Sequence, residues 1–344
     1  MLKMKVYIFF ALVALACSSS GCANQKDQEA GQFFVKANLQ MQQQNYEEAI
    51  RLFNEAIEKK ADFADVYYNR GVAYLKIEKN ELALADFKTA IEQDNEFWEA
   101  YFSKAGVEIS LGALGEATAD LDKIKTIYKD STNFYLKRGI IQNAQNKLSA
   151  AVADFDRSVA LNPRNTDALI NRGTMSYNQK KYATAETDFA AALAIDPSQP
   201  VALNNMGLIL GQRKKYKEAI ALTDRALSSQ PNQPYFLNNK GWYLLQVGKE
   251  AEAKKMIERA LEIDQTNGYA FRNLGVYYLK NNNRALAIEN LEKALRIDPS
   301  TQLVHYYLGD ALHKTNPKRA CQLWNTGKLI GEKESEEALL VHCR

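Results

Sequence analysis

The residues of this chain equipped for covalent or metal chemistry are few: four cysteines and three histidines among 344 residues. Cys17 and Cys22 lie near the start, and Cys321 and Cys343 near the end, interleaved with His305, His313 and His342. Zinc ligands want tighter spacings than the step from His305 to His313, so no metal ion is expected. The C-terminal cysteines read differently. Arg319–Leu329 has the pattern of one helix, Gly331 stops it, and Glu334–His342 returns antiparallel, which brings Cys321 beside Cys343. A disulfide there closes a loop of about 22 residues and contributes roughly 3 kcal/mol on the chain-entropy argument. No G-x-G-x-x-G, P-loop, G-x-S-x-G or H-E-x-x-H segment occurs, and Asp and Glu are spread along the chain as solvating charges. Neither an enzyme nor a cofactor is expected. What remains is recognition, and its candidates are amides: Asn69, Asn171, Asn205, Asn239 and Asn273 share one register with Ser103 and Lys137.

That register belongs to a repeat of 34 residues. Glycine recurs at Gly71, Gly139, Gly173, Gly207, Gly241, Gly275 and Gly309, with Ala105 in the one vacancy. Twelve residues after each comes a second small residue: Ala83, Ala117, Ala151, Ala185, Ala219, Ala253, Ala287 and Cys321. Large residues flank both slots, such as Tyr67, Tyr101, Leu203 and Phe271 before the glycine, and Phe87, Phe155, Phe189 and Leu291 after the alanine. Small beside large at helical spacing is the pattern of two amphipathic helices packed as a hairpin. Glycine inside a helix costs about 0.5–1 kcal/mol relative to alanine, so close packing of the two helices must offset it. Pro163, Pro197, Pro231 and Pro299 mark hairpin exits.

These features, nearly complete in Ala168–Gln199 (ALINRGTMSYNQKKYATAETDFAAALAIDPSQ), resemble the tetratricopeptide repeat. The resemblance implies an all-α superhelical solenoid of eight to nine antiparallel helix pairs with a C-terminal capping helix. Units are expected at 30–63, 64–97, 98–131, 132–165, 166–199, 200–233, 234–267, 268–301 and 302–330, and the cap at 331–344. The first helices of such units line a concave face, where the asparagine column resembles the ladders of some solenoids of this family. Asparagine donates and accepts at once, which suits the backbone of an extended peptide. Asn204, Asn238 and Arg272 stand beside the column, with Tyr235, Trp242, Tyr269 and Tyr306 on the same side. Aromatics among amides are the composition of a recognition surface. The expected groove is therefore Asn171, Asn204, Asn205, Asn238, Asn239, Trp242, Tyr269, Arg272 and Asn273, holding a protein or an extended peptide. A competing expectation is a homodimer through apolar residues of the early units: Tyr68, Val72, Leu75, Phe102, Ile109, Leu136 and Ile140.

The N-terminus supplies an address. Lys3 and Lys5 precede an apolar stretch, Val6–Ala16, that is too short to span a bilayer and fits a secretory signal. The following Ala16-Cys17-Ser18-Ser19-Ser20-Gly21-Cys22 resembles the lipobox of bacterial lipoproteins, with Cys22 as the acylated residue and Cys17 as the alternative. That reading makes 1–21 a signal peptide and 22–29 a polar tether, and it places the protein on the periplasmic side of the cell envelope, at the outer membrane by the usual sorting rule. The cysteine-bounded ending likewise resembles the terminal hairpin of some exported repeat proteins. Removing Lys3 and Lys5 from 44 basic residues leaves 42 against 41 acidic ones, so no charge bias points to nucleic acid. The membrane is expected to be met through the N-terminal lipid alone.

Overall fold

The computed structural model describes residues 21–343, with side chains from Gln25 onward. The signal segment, Cys17 and the Cys22 side chain lie outside the described residues. Nineteen α-helices follow one another, without a strand among the described residues. The first ten are α1 (Gly21–Gln42), α2 (Tyr46–Lys59), α3 (Ala64–Lys76), α4 (Asn80–Gln93), α5 (Trp98–Ser110), α6 (Leu114–Ile124), α7 (Thr132–Ala144), α8 (Leu148–Leu161), α9 (Thr166–Asn178) and α10 (Tyr182–Ile195). Then come α11 (Pro200–Gln212), α12 (Tyr216–Ser229), α13 (Pro234–Gln246), α14 (Glu250–Ile263), α15 (Gly268–Lys280), α16 (Arg284–Ile297), α17 (Val304–Leu312), α18 (Pro317–Leu329) and α19 (Lys333–His342). The chain divides within α8 into an N-terminal body ending at Asp154 and a C-terminal body starting at Phe155. No helix among the described residues is long and apolar enough to cross a membrane.

The glycine slot is explained by what faces it. A Cβ on Gly71 or Gly173 would lie 2.7 Å from the ring of Phe87 or Phe189. On Gly241 and Gly275 it would lie 2.5 Å from Ile257 and Leu291. In each case the opposing side chain is sixteen residues further on, in the second helix of the same hairpin. Ala105, which does carry a Cβ, shares its buried cluster with the slimmer Leu121. The core is accordingly a series of local clusters, one per hairpin or pair of neighbours, rather than one continuous interior.

Turn chemistry repeats with the same period. The residue that reverses the chain between the two helices of a hairpin has positive φ at Gln44, Glu78, Gly112, Asn146, Lys180, Lys214, Gly248 and Asn282. Glycine meets this demand without strain at Gly112 and Gly248; the others carry a side chain into the left-handed region. At hairpin exits an Asx turn ends the second helix, with Asp196 Oδ1 accepting from Ser198 N at 2.9 Å and Asp264 Oδ1 from Thr266 N at 2.8 Å. Asn165, Gln199 and Asn267 then cap the next helix by accepting from the amide three residues on.

A second register, invisible in the apolar pattern, ties the hairpins with ion pairs whose carboxylates are buried. Arg70 grips Asp86 through two bonds of 2.8 and 2.7 Å, and Arg172 grips Asp188 at 3.0 and 2.7 Å. Arg138 holds Asp154 in the same way, and Lys104 lies 2.7 Å from Glu108 and 2.5 Å from Asp120. The cation always precedes the glycine slot, and its aspartate comes sixteen residues later.

Two segments differ from the sequence expectations. The stretch 22–29, read as a tether, is the beginning of α1, where Glu29 pairs with Lys59 at 2.8 Å. The apolar residues of the early units are not an exposed patch. Leu136 is buried, Tyr68 packs its ring 4.9 Å from Phe97, and Phe102 stacks on Tyr128 at 5.0 Å. At the other end, Cys321 and Cys343 form a disulfide with Cα atoms 5.8 Å apart, joining α18 to the end of α19.

The glycine–large pairing makes a quantitative prediction. Gly173→Ala overpacks Phe189 and costs about 1–2 kcal/mol in urea unfolding. Combining it with Phe189→Leu, the pairing already present at Ala105 and Leu121, gives a favourable coupling of about 1 kcal/mol in a double-mutant cycle. Strict additivity of the two changes refutes the steric explanation.

Candidate partner-binding site

The expected groove lies within the C-terminal body, on α9, α11, α13 and α15, which are the first helices of their hairpins. Their asparagines do not stand as a free column. Asn239 donates to Asn204 Oδ1 at 3.0 Å, Asn204 to Asn205 Oδ1 at 3.2 Å, and Asn205 to Thr174 Oγ1 at 3.2 Å. Thr174 in turn donates to the Ile170 carbonyl at 2.8 Å. One relay thus crosses α13, α11 and α9. A second rung runs from Asn273 Nδ2 on α15 to Asn238 Oδ1 on α13 at 2.7 Å. The two asparagine–asparagine bonds between helices span 35 residues, not 34, and are diagonals linking one position of a first helix to the next position of its neighbour, whereas the Asn205–Thr174 bond spans 31.

This corrects the expectation of available amides. Asn204, Asn205, Asn238 and Asn273 are buried, and their hydrogen-bonding capacity is spent largely on one another. Asn239 is half-buried within the relay. Asn171 turns back on its own helix, donating to the Asp167 carbonyl at 2.8 Å. The column is a seam between helices, with exposed apolar side chains beside it.

That face is aromatic. Val201, Tyr235 and Tyr269 are exposed at 36%, 57% and 41%, and they occupy the same register on α11, α13 and α15. Beside them the seam changes character. Where the next diagonal rung falls, Arg272 of α15 replaces asparagine and Tyr307 of α17 is its counterpart. The Arg272 guanidinium lies 4.6 Å from the Trp242 ring centroid and 5.4 Å from that of Tyr269. Trp242 and Tyr307 meet edge to face at 6.4 Å, and Tyr307 packs on Tyr306 at 5.0 Å. Arg272 is 6% exposed; one of its terminal amino groups donates to the Gln302 carbonyl at 3.2 Å, while Nε has no hydrogen-bond partner among the described residues. Burial pulls the guanidinium pKa below its ordinary value, opposed by Tyr307, Tyr269 and Glu332. Burial also pushes the Tyr307 phenol up to about 12.

The C-terminal cap abuts this cluster. Glu332 accepts from Ser335 Oγ at 2.7 Å and from the Tyr306 amide at 3.2 Å, so one carboxylate serves the starts of α19 and α17. Burial works against its charged form, but His305 and Ser335 outweigh that and hold its pKa below the ordinary value. At 3.9 Å, His305 Nδ1 is within ion-pair range of Glu332 Oε1 but beyond hydrogen-bond range. His313 and His342 stack near Trp324, close to the disulfide helices, and no cluster of metal-ligating side chains occurs among the described residues.

Reading by one register found Trp242, Tyr269 and Arg272, but it missed Val201, Tyr307, Glu332 and Ser335. Val201 was legible as the apolar residue one period before Tyr235. Tyr307 was legible only through the diagonal step, since it is the residue 35 after Arg272.

Comparison with known families supports this architecture. Models described as TPR repeat and tetratricopeptide repeat match residues 37–78, 64–97 and 136–200. A model of the Psidin N-terminal TPR repeats region matches residues 211–325. The chain carries tetratricopeptide repeats. Among solved structures, a chain of the APC/C hetero-tetramer Cut9-Hcn1 aligns with a TM-score of 0.63 and 15% identity, over 92% of this chain and 76% of that one. A tetratricopeptide repeat protein from Parabacteroides merdae ATCC 43184 aligns with a TM-score of 0.53 and 16% identity, over 72% and 98% of the two chains. At such identities the likeness concerns the fold. Comparison with curated proteins returns no match.

If the amides form a seam, their replacement is felt in stability. Asn238→Ala leaves the Asn273 amide buried without its acceptor and costs about 1–3 kcal/mol. Asn171→Ala, which removes only a bond to its own helix, changes stability by less than about 0.5 kcal/mol. Equal effects in denaturant titrations contradict the distinction.

Proposed function

We propose that this protein is a non-enzymatic scaffold or adaptor that holds a peptide or protein partner on the first-helix face of its C-terminal body. The observation that carries the reading is the exposed stripe Val201, Tyr235 and Tyr269 with the Trp242–Arg272–Tyr307 cluster beside it. Large amphipathic rings set around a dry polar seam supply apolar contact at their faces and hydrogen bonding at their tips. We further propose that the protein is anchored by lipid at Cys22, or alternatively Cys17, on the periplasmic side of a bacterial outer membrane. The Cys321–Cys343 disulfide favours an oxidising compartment of this kind.

Affinity capture from envelope extracts, followed by identification of the bound proteins, tests the groove. Combined replacement of Tyr235, Trp242 and Tyr269 by alanine is expected to lower partner capture at least about tenfold with the helical circular-dichroism signal retained, its thermal transition lowered because Trp242 and Tyr269 cover Arg272. Undiminished capture rejects the face. Labelled palmitate tests the anchor: incorporation is expected to disappear in Cys22→Ala. Loss in Cys17→Ala instead moves the anchor there, and an unlabelled wild-type protein removes it.

A further inference from the structure

Among the described residues, buried charge is neutralised with one exception. Asp86 meets Arg70, Asp188 meets Arg172, Asp154 meets Arg138, and Asp120 and Glu108 share Lys104. Glu332 has Ser335, the Tyr306 amide and the nearby His305. Arg272 is the one buried Lys or Arg among the described residues, and it has no carboxylate of those residues within ion-pairing distance. Glu332 attracts it only from further away. A guanidinium carries five donors in a planar fork; here one bond goes to the Gln302 carbonyl and Nε is left unmade. Cation–π contacts with Trp242 and Tyr269 offset part of the desolvation, but an aromatic face accepts no hydrogen bond as strong as a carboxylate's.

We infer that Arg272 is the docking point for an aspartate or glutamate side chain of an extended, acidic segment of the partner. The carboxylate supplies two acceptors to the guanidinium fork, displacing the exposed Tyr269 ring from its cover. A side chain rather than a chain terminus is indicated because the face continues on both sides of Arg272. Tyr235 and Asn239 lie on α13 before it, and Tyr306 lies on α17 after it. The inference rests on the groove reading above and adds to it the charge of the occupant.

Two arrays of acetylated, amidated decapeptides, identical except that each Asp or Glu of the first is Asn or Gln in the second, test it against the full-length protein in detergent. Acidic members are expected to bind at least about tenfold more tightly than their amide twins, an advantage of about 1.4 kcal/mol. That preference should vanish in Arg272→Gln and survive in part in Arg272→Lys. Trp242 fluorescence, isolated by comparison with Trp242→Phe, should change only with the acidic peptides. Twins that bind alike overturn the inference and leave the groove standing. Preference surviving in Arg272→Gln overturns it too, as does rescue of the amide twins by a free C-terminal carboxylate. If neither array binds, the inference falls, while the capture result for the Tyr235, Trp242 and Tyr269 variant still decides the groove. Should Arg272→Gln fail to fold, Arg272→Lys decides: a preference for the acidic peptides that weakens in Arg272→Lys supports the inference, and one unchanged from the wild-type protein refutes it.

Discussion

The close approach of two helices at a glycine is the constraint from which the remaining geometry follows. Phe87, Phe189, Ile257 and Leu291 occupy the volume that a Cβ on Gly71, Gly173, Gly241 and Gly275 would fill. Because the contact recurs at one register, each hairpin presents its first helix with the same rotation. Equivalent positions on successive first helices therefore fall into rows. The ion pairs reinforce the same alignment from the flank, since each joins the residue beside the glycine to the second helix. Short turns with a left-handed residue fix the length of the crossing. Local packing thus decides where amides and rings meet, although no single core organises the chain.

Once rows exist, the nearest neighbours across two first helices are not the residues of equal register. They are offset by one, because a helical side chain leans over the turn that precedes it. Asn204 with Asn239 and Asn238 with Asn273 obey this rule, and so does the longer Tyr68–Ser103 contact of 3.5 Å in the N-terminal body. Phe102 with Lys137 follows it as a cation–π pair at 4.9 Å. Arg272 and Tyr307 are the same rung in different chemistry. Within the C-terminal body the occupants of this diagonal change from amide to aromatic and guanidinium along the chain.

Much of the fold was legible in the sequence because the small slots are spaced by helical periods and leave no alternative packing. The candidate face was legible in part. Tyr235, Trp242 and Tyr269 announce themselves as rings at polar positions. The fate of Asn204, Asn205, Asn238 and Asn273 could not be read from one register, since a column of amides looks the same whether it faces solvent or bonds diagonally. The Arg–Asp pairs stand in plain view at a fixed step of sixteen, but charges on helices look solvated until the partner helix is placed. Glu332 and Ser335 depend on α19 folding back over α17, a contact no periodicity encodes.

The amide relay also has a direction. Every bond between first helices runs toward the preceding one, Asn239 to Asn204, Asn205 to Thr174 and Asn273 to Asn238, with a step from Asn204 to Asn205 inside α11 joining the first two. Hydrogen bonds aligned head to tail polarise one another. The acceptor Asn273 Oδ1 is left unpaired at the leading end. The two ends of the face are thus chemically unlike. A polypeptide laid along it does not meet the same environment when its chain direction is reversed, so the face can distinguish parallel from antiparallel docking before any side chain is read.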